Sequence, residues 1–91
     1  MKIRQHIIFK GRVQGVGFRY YSEHKARQLG LTGWVMNLYN GDVEMEVQGD
    51  PVLIDELISF LGGRRYIYID DMIVRQQPVI EESGFYEKDI Y

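Results

Sequence analysis

The sequence contains no cysteine, only two prolines and no long apolar run. Without cysteine the chain forms neither a disulfide nor a thiolate metal site, and it offers no thiol nucleophile. None of its apolar runs approaches the roughly 20 residues that a membrane-spanning helix needs. The N-terminal segment also lacks the apolar core of a signal peptide, so we expect a cytoplasmic protein with no membrane partner.

An excess of positive charge is also absent. The formal net charge is −2, whereas nucleic-acid binders usually carry a basic balance or a basic stripe. We therefore expect no nucleic-acid partner. What the chain does have is 45% apolar residues in a length of 91, which is enough for the core of a single domain spanning residues 1–91.

Hydrophobic periodicity predicts alternating strands and helices, followed by a short tail strand. Their expected bounds, in the order strand, helix, strand, strand, helix, strand, are residues 3–10, 18–29, 31–38, 42–48, 51–61 and a last strand from near Met72. Asp70-Asp71 interrupts the apolar pattern before that last strand. Beyond it, residues 85–91 are expected to add an edge strand, with Phe85 and Ile90 as its anchors.

This order of elements is typical of the split βαβ, ferredoxin-like α+β fold. Such a sandwich has an antiparallel sheet covered on one face by two helices, here with a short extra C-terminal edge strand. Its first and second strands run the same way, with the third strand inserted between them. The loop after the first strand and the late part of the second strand therefore meet at one end of the sheet.

The segment Gly11-Arg-Val-Gln-Gly-Val-Gly-Phe-Arg19 joins the first strand to the first helix. Its glycines allow main-chain N–H groups to approach a ligand, and the helix N-terminus adds partial positive charge. Arg19 adds a full charge with a planar fork of donors. These features predict a small anion site for a phosphate or carboxylate. The alternative is a tight connection without a ligand, because a glycine-rich loop by itself is often only that. The glycine spacing fits neither a nucleotide P-loop nor a dinucleotide fingerprint.

Asn37 lies late in the second strand, so the topology brings it to the end of the sheet that holds the glycine loop. An amide side chain there would supply one donor group and one acceptor beside the anion pocket. The alternative interpretation is that Asn37 simply begins the hairpin turn.

The register of that hairpin is open from the sequence. A two-residue turn places Trp34 on the face of Val43. A three-residue turn, with Gly41 in a bulge, places Val35 and Asn37 on that face instead. The sequence therefore does not decide which way Asn37 points.

The glycine segment, together with Gly33-Trp-Val-Met-Asn37 and Gly41-Asp-Val-Glu44, resembles the acylphosphatase family. The match covers residues 5–49 in detail, and Ser83-Gly84-Phe85 also fits the family layout. The resemblance implies a ferredoxin-like fold and the hydrolysis of acyl phosphates, which are carboxyl–phosphate anhydrides, to a carboxylate and inorganic phosphate. It also implies that the reaction uses no metal and no organic cofactor.

The resemblance further implies roles for individual residues. The arginine that ends the glycine block binds the phosphoryl group in this family, and here it is Arg19. The asparagine of the second motif orients the attacking water, and here it is Asn37. Met36 and Asn40 depart from a common basic residue and a common aspartate, but neither touches the implied chemistry. The remaining phosphate ligands would be main-chain amides of the loop: Gln14, Gly15, Val16, Gly17 and Phe18.

A second hypothesis is a non-catalytic module that binds phosphate or carbamoyl phosphate. Similar domains open the hydrogenase-maturation carbamoyltransferases. Under the leading hypothesis the partners are a small-molecule acyl phosphate and the phosphate product, and we expect a monomer. The sequence shows no legible pocket for the acyl group.

Overall fold

The computed structural model describes residues 1–89, which form five strands and two helices. In chain order these are β1 Ile3–Arg12, α1 Phe18–Gln28, β2 Thr32–Asn37, β3 Val43–Gly49, α2 Pro51–Gly62, β4 Tyr68–Gln77 and β5 Phe85–Lys88. Phe85 is fully buried and anchors β5 as expected. Ile90, the second expected anchor, lies outside the described residues.

The strands form one sheet in the order β4-β1-β3-β2-β5. Strand β3 lies between β1 and β2 and is antiparallel to both, so β1 and β2 run the same way. This arrangement confirms the predicted ferredoxin-like topology. The extra C-terminal strand β5 pairs in parallel with β2, so the sheet is mixed rather than antiparallel throughout.

Both helices pack on the sheet and close the hydrophobic core. They turn inward the apolar stripes that their sequence period predicts. The buried residues of α1 are Phe18, Ser22 and Ala26, and those of α2 are Ile54, Leu57 and Leu61. Neither helix within residues 1–89 has the length and apolarity to cross a membrane. The packing fixes the start of α1 beside the ends of β1 and β2, where the candidate site lies.

The β2–β3 hairpin has the three-residue turn. Asn37 pairs with Val43, and the N–H of Gly41 donates to the carbonyl of Leu38 at 3.2 Å. Gly41 has a φ of +97°, in the bulge position that this turn requires. The register places Val35 and Asn37 on the face of Val43, which decides between the two alternatives.

The main departure from prediction is at the start of β4. The sequence predicts a start near Met72, but β4 begins at Tyr68 and continues through Asp70 and Asp71. That prediction is wrong because β4 is an edge strand, where exposed charged side chains are tolerated. The longer β4 also pairs with the end of β1, which extends to Arg12.

Candidate active site

The candidate site forms around the loop of residues 13–17, which joins β1 to α1. Gly17 caps α1 with a φ of +82°, a left-handed conformation that favours glycine. A Cβ atom on Gly17 would lie 3.1 Å from the ring of Tyr21, so the space is also restricted. The ring of Phe18 packs against Phe9 in the core at a centroid distance of 4.9 Å. The loop is therefore anchored where the helix begins.

The main-chain N–H groups of this segment are available to a ligand. No side chain caps α1. In this segment, the first amide with an acceptor inside the protein is that of Tyr21, which donates to the carbonyl of Gly17 at 2.9 Å. Within residues 1–89, the N–H groups of residues 15–20 have no hydrogen-bond acceptor. Unpaired donors at a helix N-terminus carry partial positive charge and favour an anion.

Arg19 and Asn37 line the same cleft, which has a volume of about 170 Å³. Asn37 ends β2 on the helix-covered face of the sheet, next to the start of α1. The structure thus places Asn37 beside the glycine loop, at the end of the sheet that the topology predicts. The other lining residues are Val13, Gly15, Gly17, Phe18, Tyr20 and Glu87.

The guanidinium of Arg19 is not neutralised by a neighbouring carboxylate. Arg19 is half-buried, and no acidic side chain in the described part of the chain lies within salt-bridge distance of it. Its planar N–H groups can therefore donate hydrogen bonds to a phosphate or carboxylate without first breaking an ion pair.

Gln14 and Val16, whose main-chain amides the family resemblance makes phosphate ligands, line the adjoining larger cleft rather than this one. The side-chain amide of Gln14 instead donates to the carbonyls of Leu38 and Asp42, at 2.7 and 2.8 Å. These two hydrogen bonds tie the glycine loop to the hairpin that carries Asn37. Gln14 thereby fixes the position of one wall of the cleft relative to the other.

Glu87 is a cleft residue that the sequence analysis missed. It lies on β5 in parallel register with Val35 of β2. Alternation from the buried Phe85 would have placed it on the helix side, but only the parallel pairing brings it to this end of the sheet. A carboxylate there opposes a bound anion.

Residues 1–89 contain no group of three or more histidine or acidic side chains that would hold a metal ion.

A family model described as Acylphosphatase matches residues 5–86. Among curated proteins, the acylphosphatase of Geobacillus kaustophilus strain HTA426 is 62% identical over 77 residues. That alignment covers 84% of this chain and 82% of the relative. The chain is therefore similar over most of its length to a protein of comparable size.

Solved structures show the same likeness. An acylphosphatase from Coxiella burnetii superposes with a TM-score of 0.86 at 34% identity, covering 96% of this chain and 93% of that one. Full-length HypF in its phosphate- and nucleotide-bound form gives a TM-score of 0.81 at 26% identity. That match covers 98% of this chain but 12% of the HypF chain.

Proposed function

This chain belongs to the acylphosphatase family and is a hydrolase of that class, and from this premise we propose how its site works. The substrate is a small-molecule acyl phosphate, and the products are a carboxylate and inorganic phosphate. The phosphoryl group binds Arg19 and the main-chain amides of residues 14–18, and Asn37 orients the attacking water. The observation that carries this proposal is that Arg19, Asn37 and unpaired loop amides border a single cleft.

In the proposed mechanism, the phosphoryl oxygens accept hydrogen bonds from the Arg19 guanidinium and from the loop amides. The water held by the Asn37 side chain attacks phosphorus while the bond between phosphorus and the acyl oxygen breaks. The carboxylate leaves with the electron pair, and a water proton passes to a phosphate oxygen. Because a carboxylate is a good leaving group, positioning and charge stabilisation supply most of the acceleration.

Steady-state hydrolysis of acetyl phosphate and benzoyl phosphate, with inorganic phosphate as a competitive inhibitor, tests these roles. We expect turnover by the wild-type chain. Arg19→Ala should lower kcat/KM by about 10²- to 10³-fold and abolish phosphate inhibition, because it removes the charged fork. Arg19→Lys should also lose most of kcat/KM and of phosphate inhibition, since a point charge does not replace two parallel donors. Asn37→Ala should lower kcat about 10²-fold and leave the phosphate inhibition constant nearly unchanged.

Matched controls come from residues away from the cleft. Arg75→Ala removes an exposed arginine of β4, and Gln28→Ala removes an exposed amide at the end of α1. Both should retain wild-type kinetics. Equal loss of phosphate inhibition in Arg19→Ala and Asn37→Ala would contradict the division of roles between the two residues.

A second candidate function is phosphate binding without turnover, as a module. The likeness to HypF in its phosphate- and nucleotide-bound form supports this alternative. Phosphate binding by a wild-type chain that hydrolyses no acyl phosphate would favour the module.

We further propose that the protein acts in the cytoplasm as a monomer without nucleic acid. Cell fractionation would test the location, and gel filtration would test the oligomeric state and any bound nucleic acid.

A further inference from the structure

A second and larger cleft adjoins the glycine loop. It has a volume of about 570 Å³, and its walls include the rings of Tyr20, Tyr21 and Tyr66 together with Arg12. The ring of Tyr21 lies against Gly17, the helix cap, and its centroid is 6.2 Å from that of Phe60 on α2. The larger cleft, which we name the tyrosine cleft, is also lined by residues 14–17 of the glycine loop, whose amides we propose as phosphate ligands. The proposed mechanism gives no role to its tyrosine rings or to Arg12.

The tyrosine cleft and the candidate active site adjoin each other and share part of their lining. Gly15, Gly17 and Tyr20 line both of them, whereas Asn37 lines only the smaller one. In phosphoryl transfer the attacking and leaving oxygens lie roughly in line on opposite sides of phosphorus. With water held at Asn37, the acyl oxygen therefore points away from Asn37 and toward the shared wall.

The volumes of the two clefts fit the two parts of an acyl phosphate. The smaller one, at about 170 Å³, suits a phosphoryl group and a water. The tyrosine cleft, at about 570 Å³, falls within the roughly 300–1,000 Å³ of pockets that take organic ligands. Tyrosine rings supply flat apolar walls, which favour an aromatic or extended apolar acyl body.

Tyr66 occupies its place with a strained backbone. Its φ is +74°, and within residues 1–89 it is the single non-glycine residue with a positive φ. The turn is closed by the N–H of Ile67, which donates to the carbonyl of Arg64 at 3.2 Å. A bulky residue in the left-handed region is unfavourable, and such strain concentrates at functional sites. This turn fixes where the Tyr66 ring enters the cleft, and that placement is the reason for assigning the ring a role.

The charge of the tyrosine cleft is positive. Arg12 is exposed at its edge, with the guanidinium 5.7 Å from the ring centroid of Tyr68. No acidic residue of the described chain lines this cleft. An acyl group that ends in a second negative charge would therefore be attracted to Arg12.

We propose that the tyrosine cleft holds the acyl group of the substrate, and that it selects acyl phosphates with an aromatic or extended body and a distal negative charge. This inference rests on the proposed function. It assigns to Tyr66 and Arg12 a part in acyl specificity and none in phosphate binding.

Kinetic ratios between paired substrates test the inference. For Tyr66→Ala, kcat/KM for benzoyl phosphate should fall about 5-fold relative to acetyl phosphate, because one aromatic wall is lost. For Arg12→Gln, kcat/KM for succinyl phosphate should fall about 5-fold relative to butyryl phosphate, because the pair differs in the distal charge. The phosphate inhibition constant should stay unchanged in both variants. Tyr39→Ala, which removes a tyrosine that is 88% exposed in the hairpin, serves as the control.

The outcomes separate this inference from the proposed function. If wild-type chain hydrolyses acetyl phosphate but the variants leave both ratios unchanged, the acyl assignment is wrong and the proposed function stands. An equal fall for both members of a pair would likewise overturn it, since that would indicate a general loss of structure. If wild-type chain hydrolyses none of the four substrates, the proposed function fails, and the acyl assignment fails with it.

Discussion

The two helices of this protein begin in contrasting ways. Helix α2 starts after Asp50, whose carboxylate accepts a hydrogen bond from the N–H of Val52 at 2.9 Å, and Pro51 removes another N–H from the first turn. Helix α1 starts after Gly17, which has no side chain, and its first amides find no acceptor within residues 1–89.

This difference separates a stabilising helix start from a binding one. A side-chain cap satisfies the orphan donors of the first turn and stabilises the fold. The donors left open in α1 forgo that stabilisation, and they face a cleft that also holds Arg19 and Asn37. The contrast therefore supports phosphate binding by the loop amides at the start of α1. Substitutions at either helix start can test it.

Giving α1 the cap of α2 should have the largest effect. In Gly17→Asp, a carboxylate at the cap would compete for the loop amides and repel phosphate. We expect phosphate affinity to fall by about 10²-fold or more, from the lost charge-assisted hydrogen bonds and the left-handed strain. Isothermal titration with inorganic phosphate measures the loss. Gly17→Ala carries the strain without the charge and should lose less. Equal affinities for the two variants would argue against an anion at these amides.

Removing the hydrogen bonds that join the glycine loop to the β2–β3 hairpin should have the next largest effect on activity. Gln14→Met keeps the side-chain volume but removes the hydrogen bonds to Leu38 and Asp42. We expect kcat to fall about 10-fold, because small misplacements of positioned groups are costly in catalysis. The free energy of unfolding should fall by about 1–2 kcal/mol in urea titrations. A variant with lower stability but unchanged kcat would limit Gln14 to a structural role.

Removing the cap of α2 should affect stability alone. Asp50→Ala is expected to lower the free energy of unfolding by about 1 kcal/mol. Its kcat/KM per folded molecule should equal that of wild type, since Asp50 is remote from the cleft. Asp50→Ser retains a capping oxygen and should recover most of the stability. A matching loss of activity in Asp50→Ala would show that the two helix starts are coupled.

The smallest effect is expected at Glu87, the acidic residue of the anion cleft. Glu87→Gln removes a repulsion, so the phosphate inhibition constant should fall about 2-fold at low salt, and the gain should fade as ionic strength rises. The kcat value should not change. A large drop in kcat would instead give the Glu87 carboxylate a part in the chemistry.

Features governed by local sequence could be predicted. The start of α1 at Phe18 and the cap at Asp50 follow from glycine, aspartate and proline signals at the ends of apolar stripes. The order of elements then predicts the neighbours in the sheet. It also brings the end of β2 toward the glycine loop.

Features that depend on distant pairing could not be predicted. The direction of Asn37 depends on one residue in the hairpin turn, because a shift of one reverses every side chain. The early start of β4 depends on its place at the sheet edge. Glu87 reaches the cleft only through the parallel pairing of β5, and Tyr66 reaches the tyrosine cleft from a turn after α2.

A phosphate titration followed by amide NMR tests the central claim most directly, because it reports on both helix starts in one sample. We predict saturable shifts of the N–H signals of residues 14–18, with the signals of Val52 and Leu53 at the start of α2 unchanged. Arg19→Ala should abolish the shifts. Saturable shifts centred on α2, or none at residues 14–18, would contradict a phosphate site at the start of α1.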